Sequence, residues 1–432
     1  MKNSGIEWIG EIPEHWGKCK IKRYCLEVFP GATPQSTNPL YWDGDINWIP
    51  SGSCHDCRID SAPKTITQEG FENSSTKMIP ANTALVAMTG ATCGNTGYLT
   101  ISSCANQSVT AYIENKSVCD SLFLWYVLRA AKEHLLTFQT GGAQGGVNVE
   151  NCKNIFVPYV PLPEQRAISA YLDRQCALID SVTEKTKASI EEYKKLRQAV
   201  ITQAVTKGVR GDRPMKDSGI EWIGEIPECW SIIRKLSHVV TEGISYGIVK
   251  LFDPDDEHGI KVIRCSDVRE GVIIPDNIRT VTKEVSNEYK RTLLNGGEVL
   301  VNVRGTLGGC AVVPDEMSGY NIAREVAKIA LNNTIYNRYV MYYLLSNCFT
   351  DYRTRYLSGS VYIGLNIEML SSFSLSYPSM NEQVEIVAYL DKKCAEIDAL
   401  ITKKETFLSE LEAYKKSLIY EYVTGKKEVP QA

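Results

Sequence analysis

The chain has 432 residues, 44% of them hydrophobic, and sets 47 Lys and Arg against 51 Asp and Glu for a formal net charge of −4. That length supports more than one core and roughly two to four domains, while the weakly acidic balance speaks against a protein that grips phosphates with a general basic excess. No stretch approaches the roughly 20 uninterrupted apolar residues that span a bilayer, and the opening residues contain no apolar signal-peptide core, so a cytoplasmic location is expected.

The opening Lys2 to Trp16 reads KNSGIEWIGEIPEHW and is followed by the basic cluster Lys18, Lys20, Lys22 and Arg23. Short β-rich runs come next, at Asp45 to Ile49, Ala84 to Met88 and Gly97 to Ile101, and then a helix over Leu122 to His134. A glycine-rich turn, GGAQGGVNVE (Gly141 to Glu150), precedes a long amphipathic helix that begins after Pro163 and stops at Gly208. GVRGDRPMKDSG (Gly208 to Gly219) reads as an exposed linker. The opening then returns as KDSGIEWIGEIPECW (Lys216 to Trp230), and the closing Glu164-Gln165 with YLDRQCALID returns as Glu382-Gln383 with YLDKKCAEID. Between them lie strands at Lys261 to Arg264, Glu298 to Val303 and Cys310 to Val313, a helix over Tyr336 to Asn347, and the pair Arg353 and Arg355.

The chain is therefore two tandem copies of one unit, each a constant frame around a divergent insert, and a pseudo-dimer on one polypeptide is expected. Within the inserts ALVAMTGATCG (Ala84 to Gly94) lies opposite VLVNVRGTLGG (Val299 to Gly309), and GGAQGGVNVE lies opposite GSVYIGLNIE (Gly359 to Glu368). The mix of elements predicts an α+β class. Apolar steps of four and three place Ile168, Leu172, Ile179, Val182, Tyr193, Leu196 and Val200 on one seam of the first long helix. The same steps give Ile386, Leu390, Ile397, Leu400, Phe407, Leu411, Tyr414 and Leu418 on the second. Each helix runs roughly 40 residues, about 60 Å. Antiparallel pairing would bring the polar Thr186 and Lys404 together at the seam's middle, unless Lys404 snorkels to solvent.

Enzyme chemistry finds little support. Asn38-Pro39-Leu40-Tyr41 is one substitution from the NPPY that grips a flipped adenine in amino-methyltransferases, but no glycine-rich cofactor loop precedes it. The glycine turns lack the P-loop spacing, and the acidic DPDDEHG run reads as a solvated turn rather than a nuclease metal cluster. His15, His55, His134, His238 and His258 show no paired spacing, and Cys54-x-x-Cys57 has no second pair to complete a zinc site, so no metal is expected. The 14 cysteines, in a long chain without an export signal, are expected to be reduced and mostly buried.

The duplicated GIEWIGEIP-x-x-W opening, the duplicated EQ entry, the long helices ending in VTKG and VTGK, and TPQSTNPLYWDGDINWIPSGS (Thr33 to Ser53) together resemble the specificity subunit of type I restriction-modification systems, over essentially the whole chain. The resemblance implies a non-catalytic subunit with two globular target recognition domains in a pseudo-two-fold arrangement, separated by two long antiparallel helices. Each domain would read half of a bipartite double-stranded DNA target. The helices would dock two modification (methyltransferase) subunits, and restriction subunits would join them. S-adenosylmethionine, ATP and magnesium are then expected in those partners and no cofactor in this chain. The implied boundaries are 1–160 for the first recognition domain, 161–208 for the first spacer helix, 209–219 for the linker, 220–378 for the second recognition domain and 379–426 for the second spacer helix. A helical scaffold that touches no DNA is the alternative.

Base-edge chemistry on the polar, glycine-bounded loops selects the candidate DNA contacts, since Arg pairs with guanine, Asn or Gln with adenine, and Ser, Thr and Tyr are adaptable. They are Ser51, Ser53, His55, Thr89, Thr92, Gln107, Gln144 and Asn148 in the first insert, and Arg264, Ser266, Arg304, Thr306, Asn321, Arg324, Tyr362 and Asn366 in the second.

Overall fold

The computed structural model describes residues 1–140, 145–249, 259–276, 278–305, 308–357 and 364–430. It divides into two units, Met1–Thr186 with Thr406–Ala432, and Lys187–Glu405. The first unit holds strands β1 (Cys25–Pro30), β2 (Trp42–Ile49), β3 (Cys57–Ile59), β4 (Lys64–Ile66), β5 (Thr83–Ala87), β6 (Thr96–Leu99), β7 (Cys104–Ala105) and β8 (Val109–Glu114). They form a five-stranded sheet in the order β1-β8-β5-β6-β3 and a three-stranded sheet in the order β7-β2-β4. Central β5 is buried along its whole length. Its Ala84 and Val86 pack with helix α1 (Ser121–Ala130), while Leu85 and Ala87 face the opposite cluster with Ile49 and Ile59. Both faces of the strand are covered, which is why it reads as an apolar run. Helices α2 (Val149–Asn154) and α3 (Leu162–Lys207) follow.

The second unit repeats this plan with different residues. Strands β9 (Ser245–Tyr246), β10 (Ile260–Ile263), β11 (Arg279–Val281), β12 (Val299–Asn302), β13 (Cys310–Val312), β14 (Asn321–Ile322) and β15 (Val326–Ile329) form sheets β9-β15-β12-β13 and β11-β10-β14. The parallel pair β2/β7, Trp48 beside Cys104, recurs as β10/β14, Val262 beside Asn321. Where β3 runs parallel to β6, the second unit keeps a single parallel bridge, Glu270 to Cys310. Gly31 and Gly247 stand at the same junction between the two sheets, and a side chain at either would strike the carbonyl of Ala105 or Ile322. Helices α4 (Asn337–Leu345), α5 (Ile367–Ser372) and α6 (Met380–Val423) complete the chain.

The repeated sequence motifs prove to be fasteners between insert and long helix. Gln165 and Gln383 are fully buried. Each carboxamide accepts the first backbone N–H of the insert helix, from Asp120 at 2.9 Å and from Tyr336 at 2.8 Å. Each also donates to the strand that enters the long helix, at Val160 and Pro378. The Trp16 and Trp230 indoles donate to Glu164 and Glu382 at 2.8 and 3.3 Å. Asp173 accepts from the Tyr126 hydroxyl and the Arg58 guanidinium, and Asp391 from Tyr342 and Arg338.

The long helices are antiparallel in each unit. Tyr171 meets Tyr422 with ring centroids 4.6 Å apart, and Lys415 binds Asp180 at 2.5 Å in the first unit. In the second, Arg197 binds Asp398 at 3.0 Å. Thr186 donates to the Val182 carbonyl at 2.8 Å, and the Lys404 ammonium lies 5.6 Å from the centre of the Tyr193 ring, so each of these two polar residues has a partner of its own. The predicted seam needs a correction in its later turns. Val182, Leu196, Leu400, Phe407 and Tyr414 are exposed, at 41, 48, 41, 42 and 56%. Of the predicted seam, Ile168, Leu172, Ile179 and Thr186 in α3 and Ile386, Leu390, Ile397 and Leu418 in α6 are buried, and the burial is completed by Ile190, Ile201, Ala204 and Val205 in α3 and Cys394 and Tyr422 in α6. A seam stepped at 3.5 residues drifts by about 20° per heptad from a face that follows the 3.6-residue turn. Near the end of α3 the buried Ile201 lies one position beyond the predicted Val200, whereas in α6 the predicted Leu418 stays buried.

The segment expected to be an exposed linker is exposed at most of its residues and is anchored by two arginines. Arg213 pairs with Glu382 at 2.7 Å and lies 5.3 Å from the centre of the Trp230 ring, and Arg210 pairs with Glu385 at 2.8 Å. Among the described residues no helix is long and apolar enough to cross a membrane.

Candidate nucleic-acid interface

At one end of each larger sheet, backbone hydrogen bonds build the same platform from unrelated residues. In the first unit Gly31 donates to Val109, Ala32 to Ala105, Asn106 to Ile49, Met88 to Ser108 and Val147 to Met88. In the second Gly247 donates to Val326, Ile248 to Ile322, Ala323 to Ile263, Val303 to Glu325 and Leu365 to Val303. These bonds put three pairs of candidates in register: Thr89 with Arg304, Gln107 with Arg324, and Asn148 with Asn366. The glycine after the first pair, Gly90 or Gly305, has φ of 71° or 72°, a left-handed conformation that favours glycine. Among the described residues, 84–90 correspond in three dimensions to 299–305 and 147–150 to 365–368, and the platform between them brings these three pairs together.

The candidates are held there in different ways. Thr89, Gln107, His55, Arg304 and Arg324 are exposed. Gln107 accepts from the hydroxyl of Thr33, a residue the loop chemistry did not single out, and Arg324 donates to the adjacent Glu325 at 3.2 Å. Ser51 and Ser53 are half-buried in the turn that leaves β2, and Thr92 is half-buried in the turn after Gly90. Asn148 and Asn366 are exposed helix caps, each accepting at 2.8 Å from the backbone N–H three residues on, in Asn151 and Met369. Their local duty is to satisfy the free N–H groups of α2 and α5, which accounts for the shared N-[VI]-E spelling. Gln144, Thr306 and Tyr362 lie outside the described residues.

In the second unit Arg264 and Ser266 bend inward onto Asp267, which is 1% exposed. The Arg264 backbone N–H donates to that carboxylate at 2.8 Å and its guanidinium donates to the Asp276 carbonyl at 2.7 Å. Asn321 is a correction. It is fully buried, donates to Thr292 at 3.0 Å and accepts from Ser286 at 2.6 Å. Its carboxamide is spent within the core at the place where the first unit has buried Cys104, so it presents no edge to a base.

Beside Arg304 a cavity of about 500 Å³ opens between Tyr246, Tyr352, Tyr356, Asn366 and Glu368. Burial pushes the Tyr246 phenol above its ordinary pKa, and the nearby Arg304 charge opposes that shift. No pattern in the sequence joined these aromatics to the arginine, because they come from three separated segments. Asn38-Pro39-Leu40-Tyr41 forms a short 3-10 turn in which Asn38 caps the Leu40 N–H at 3.1 Å. Its proline sits at the first turn for the usual conformational reason. Among the described residues no group of three or more His, Cys, Asp or Glu side chains is arranged to hold a metal ion. All 14 cysteines are free and most are buried; burial raises the thiols of Cys19, Cys152, Cys348 and Cys394 to about 11.

Residues 13–192 and 241–410 each match the type I restriction modification DNA specificity domain. The chain belongs to this family. Its members similar to this chain include the EcoBI specificity subunit of Escherichia coli, 28% identical over 63% of this chain and 59% of that protein. The MjaVIII specificity subunit of Methanocaldococcus jannaschii is 27% identical over 74% of this chain and 73% of its own length. The chain thus spans less than two thirds of the EcoBI protein. A solved structure described as "Structural basis underlying complex assembly and conformational transition of the type I R-M system" has a TM-score of 0.74 at 17% identity, covering 96% of this chain and 100% of that one. The HsdS subunit from Thermoanaerobacter tengcongensis has a TM-score of 0.51, also at 17% identity, over 96% and 98%. At that identity the likeness is one of fold. The α+β class with two inserts and two long helices is the fold of this specificity family.

Proposed function

We propose that this chain is the DNA-reading subunit of a type I restriction-modification complex and performs no catalysis itself. The observation that carries this reading is the pair of platforms. One backbone pattern occurs twice, and the side chains it presents differ, Thr89 and Gln107 in one copy and Arg304 and Arg324 in the other. A scaffold gains nothing from such variation, whereas two unlike half-sites require it, because neutral amides and hydroxyls suit different base edges from arginine. Each unit reads one half of a bipartite duplex target, and joining two modest readers raises their effective concentration. Modification subunits supply S-adenosylmethionine and methylate adenine; restriction subunits supply ATP-driven, magnesium-dependent cleavage. Leu196 and Leu400 of the second unit, and Val182, Phe407 and Tyr414 of the first, leave apolar surface open to these partners.

The test is to co-express the chain with the methyltransferase subunit encoded beside it and to map methylated bases across the host genome. Two short defined blocks around a fixed undefined gap, lost when this chain is deleted, are expected. Methylation that survives the deletion unchanged would return the chain to the scaffold reading.

A further inference from the structure

Of the two basic clusters in the sequence, the structure leaves one unneutralised. Arg355 is held in a two-pronged ion pair by Glu221, and Arg353 is half-buried, its pKa lowered by desolvation. Lys18, Lys20, Lys22 and Arg23 of the first unit are all exposed, and among the described residues none of the four pairs with a carboxylate. Glu27 on the following strand binds Lys77 instead, and Glu150 of α2 faces Lys153.

The cluster is also built. Lys18 and Lys20 alternate with buried Cys19 on the strand Gly17–Lys20, so both side chains leave the same face. Their ammonium groups lie 5.8 and 5.9 Å from the centre of one ring, that of Phe156, which is 44% exposed on the partner strand. The Arg23 guanidinium lies 4.8 Å from the centre of the Tyr159 ring on that same strand. An aromatic face orients a cation without neutralising it or consuming all its N–H donors. Lys20 also donates to Asn154 at 3.3 Å, at the far end of α2, whose first turn is capped by Asn148 on the platform. A six-residue helix is about 9 Å long at 1.5 Å per residue, so Lys20 stands one short helix away from the platform's cap, within reach of the same duplex. The second unit departs from this, with Ile232 in the place of Lys18 and Ser374 in the place of Phe156.

We infer that Lys18, Lys20, Lys22 and Arg23 form a phosphodiester-binding ridge that anchors the DNA duplex beside the first reading platform, independently of its base sequence. This rests on the DNA-reading function proposed above. It also explains how a chain of net charge −4 engages a polyanion, since the positive charge is concentrated rather than abundant. Phosphate contacts fix register and supply the salt-dependent part of affinity, while base contacts specify.

The experiment measures fluorescence anisotropy of the full-length chain, with the subunits that co-purify with it, on duplexes of arbitrary and of target sequence through a salt series. In the combined variant Lys18→Ala, Lys20→Ala, Lys22→Ala the slope of log K against log salt should become shallower by about 2 to 3, at roughly 0.9 for each phosphate no longer neutralised. The ratio of target to arbitrary affinity should hold. The corresponding triple Lys→Arg variant should restore the slope, and Arg355→Ala should leave it unchanged. An unchanged slope in the alanine variant, with the parent still binding duplex, would overturn the ridge and leave the reading function standing. A parent that binds no duplex at any salt would overturn both.

Discussion

Thr89 and Gln107 in the first unit occupy the backbone positions that Arg304 and Arg324 occupy in the second, yet the frame around them repeats the same opening and the same Glu-Gln entry to the long helix. The difference lies in what holds each region. The platform is held by main-chain hydrogen bonds, from Gly31, Ala32, Asn106 and Val147 in one copy and from Gly247, Ile248, Ala323 and Leu365 in the other. Such bonds are indifferent to side chains, so the residues presented to a ligand are free to diverge. The frame is held by side chains: Gln165 and Gln383 bridge the insert helix to the long helix, and Trp16 and Trp230 reach Glu164 and Glu382. Replacing either glutamine would leave buried backbone groups unpaired, a cost of about 1–3 kcal/mol each.

The same carboxylate is nevertheless worth more in one copy than in the other. The Glu382 side chain is 5% exposed and pairs with Arg213, itself 16% exposed, whereas Glu164 is 40% exposed and faces His15. Arg213→Ala, which leaves the buried Glu382 only the longer pair with Arg210 at 3.9 Å and the Trp230 indole, should cost about 3 kcal/mol, and Glu164→Gln about 1 kcal/mol or less; denaturant unfolding of the two variants compares them directly. Equal losses would break the distinction. Along α3, Ile201→Ala should cost about 2–5 kcal/mol as a buried truncation, while Leu196→Ala, on the exposed flank, should stay within about 0.5 kcal/mol. The reverse order would restore the 3.5-residue seam. At the platforms, Arg304→Ala or Arg324→Ala should cost about 1–3 kcal/mol of base discrimination in one half of the target only. Gln107→Ala should relax the other half, as read by methylation of randomised sites. Asn148→Ala and Asn366→Ala should each lose about 1 kcal/mol of stability as removed caps. A similar loss from both would confirm that the two loops do the same local work.

The duplication, the α+β class and the two long helices are legible in the sequence because they rest on repeated side chains and long periodicity. The pairing of Thr89 with Arg304 is legible too, since a strand running into a glycine at positive φ leaves a recognisable spelling. The fate of Asn321 is not. Nothing local distinguishes an asparagine that caps a loop from one that occupies the buried site of Cys104, and only the parallel pairing of β10 with β14 settles it. The seam's later residues go astray through the small mismatch between the 3.5-residue step and the helical turn, an error invisible in the first turns. Arg213 reads as part of an exposed stretch because its partners, Glu382 and Trp230, are far from it in sequence.

The claim that the two units are independent readers on a common frame is tested most directly by exchanging residues 17–150 for the corresponding segment of another specificity subunit and mapping methylated sites in the host. One half of the bipartite motif should change while the other half and the gap stay as they were. A change in both halves, or in the gap, would contradict the account.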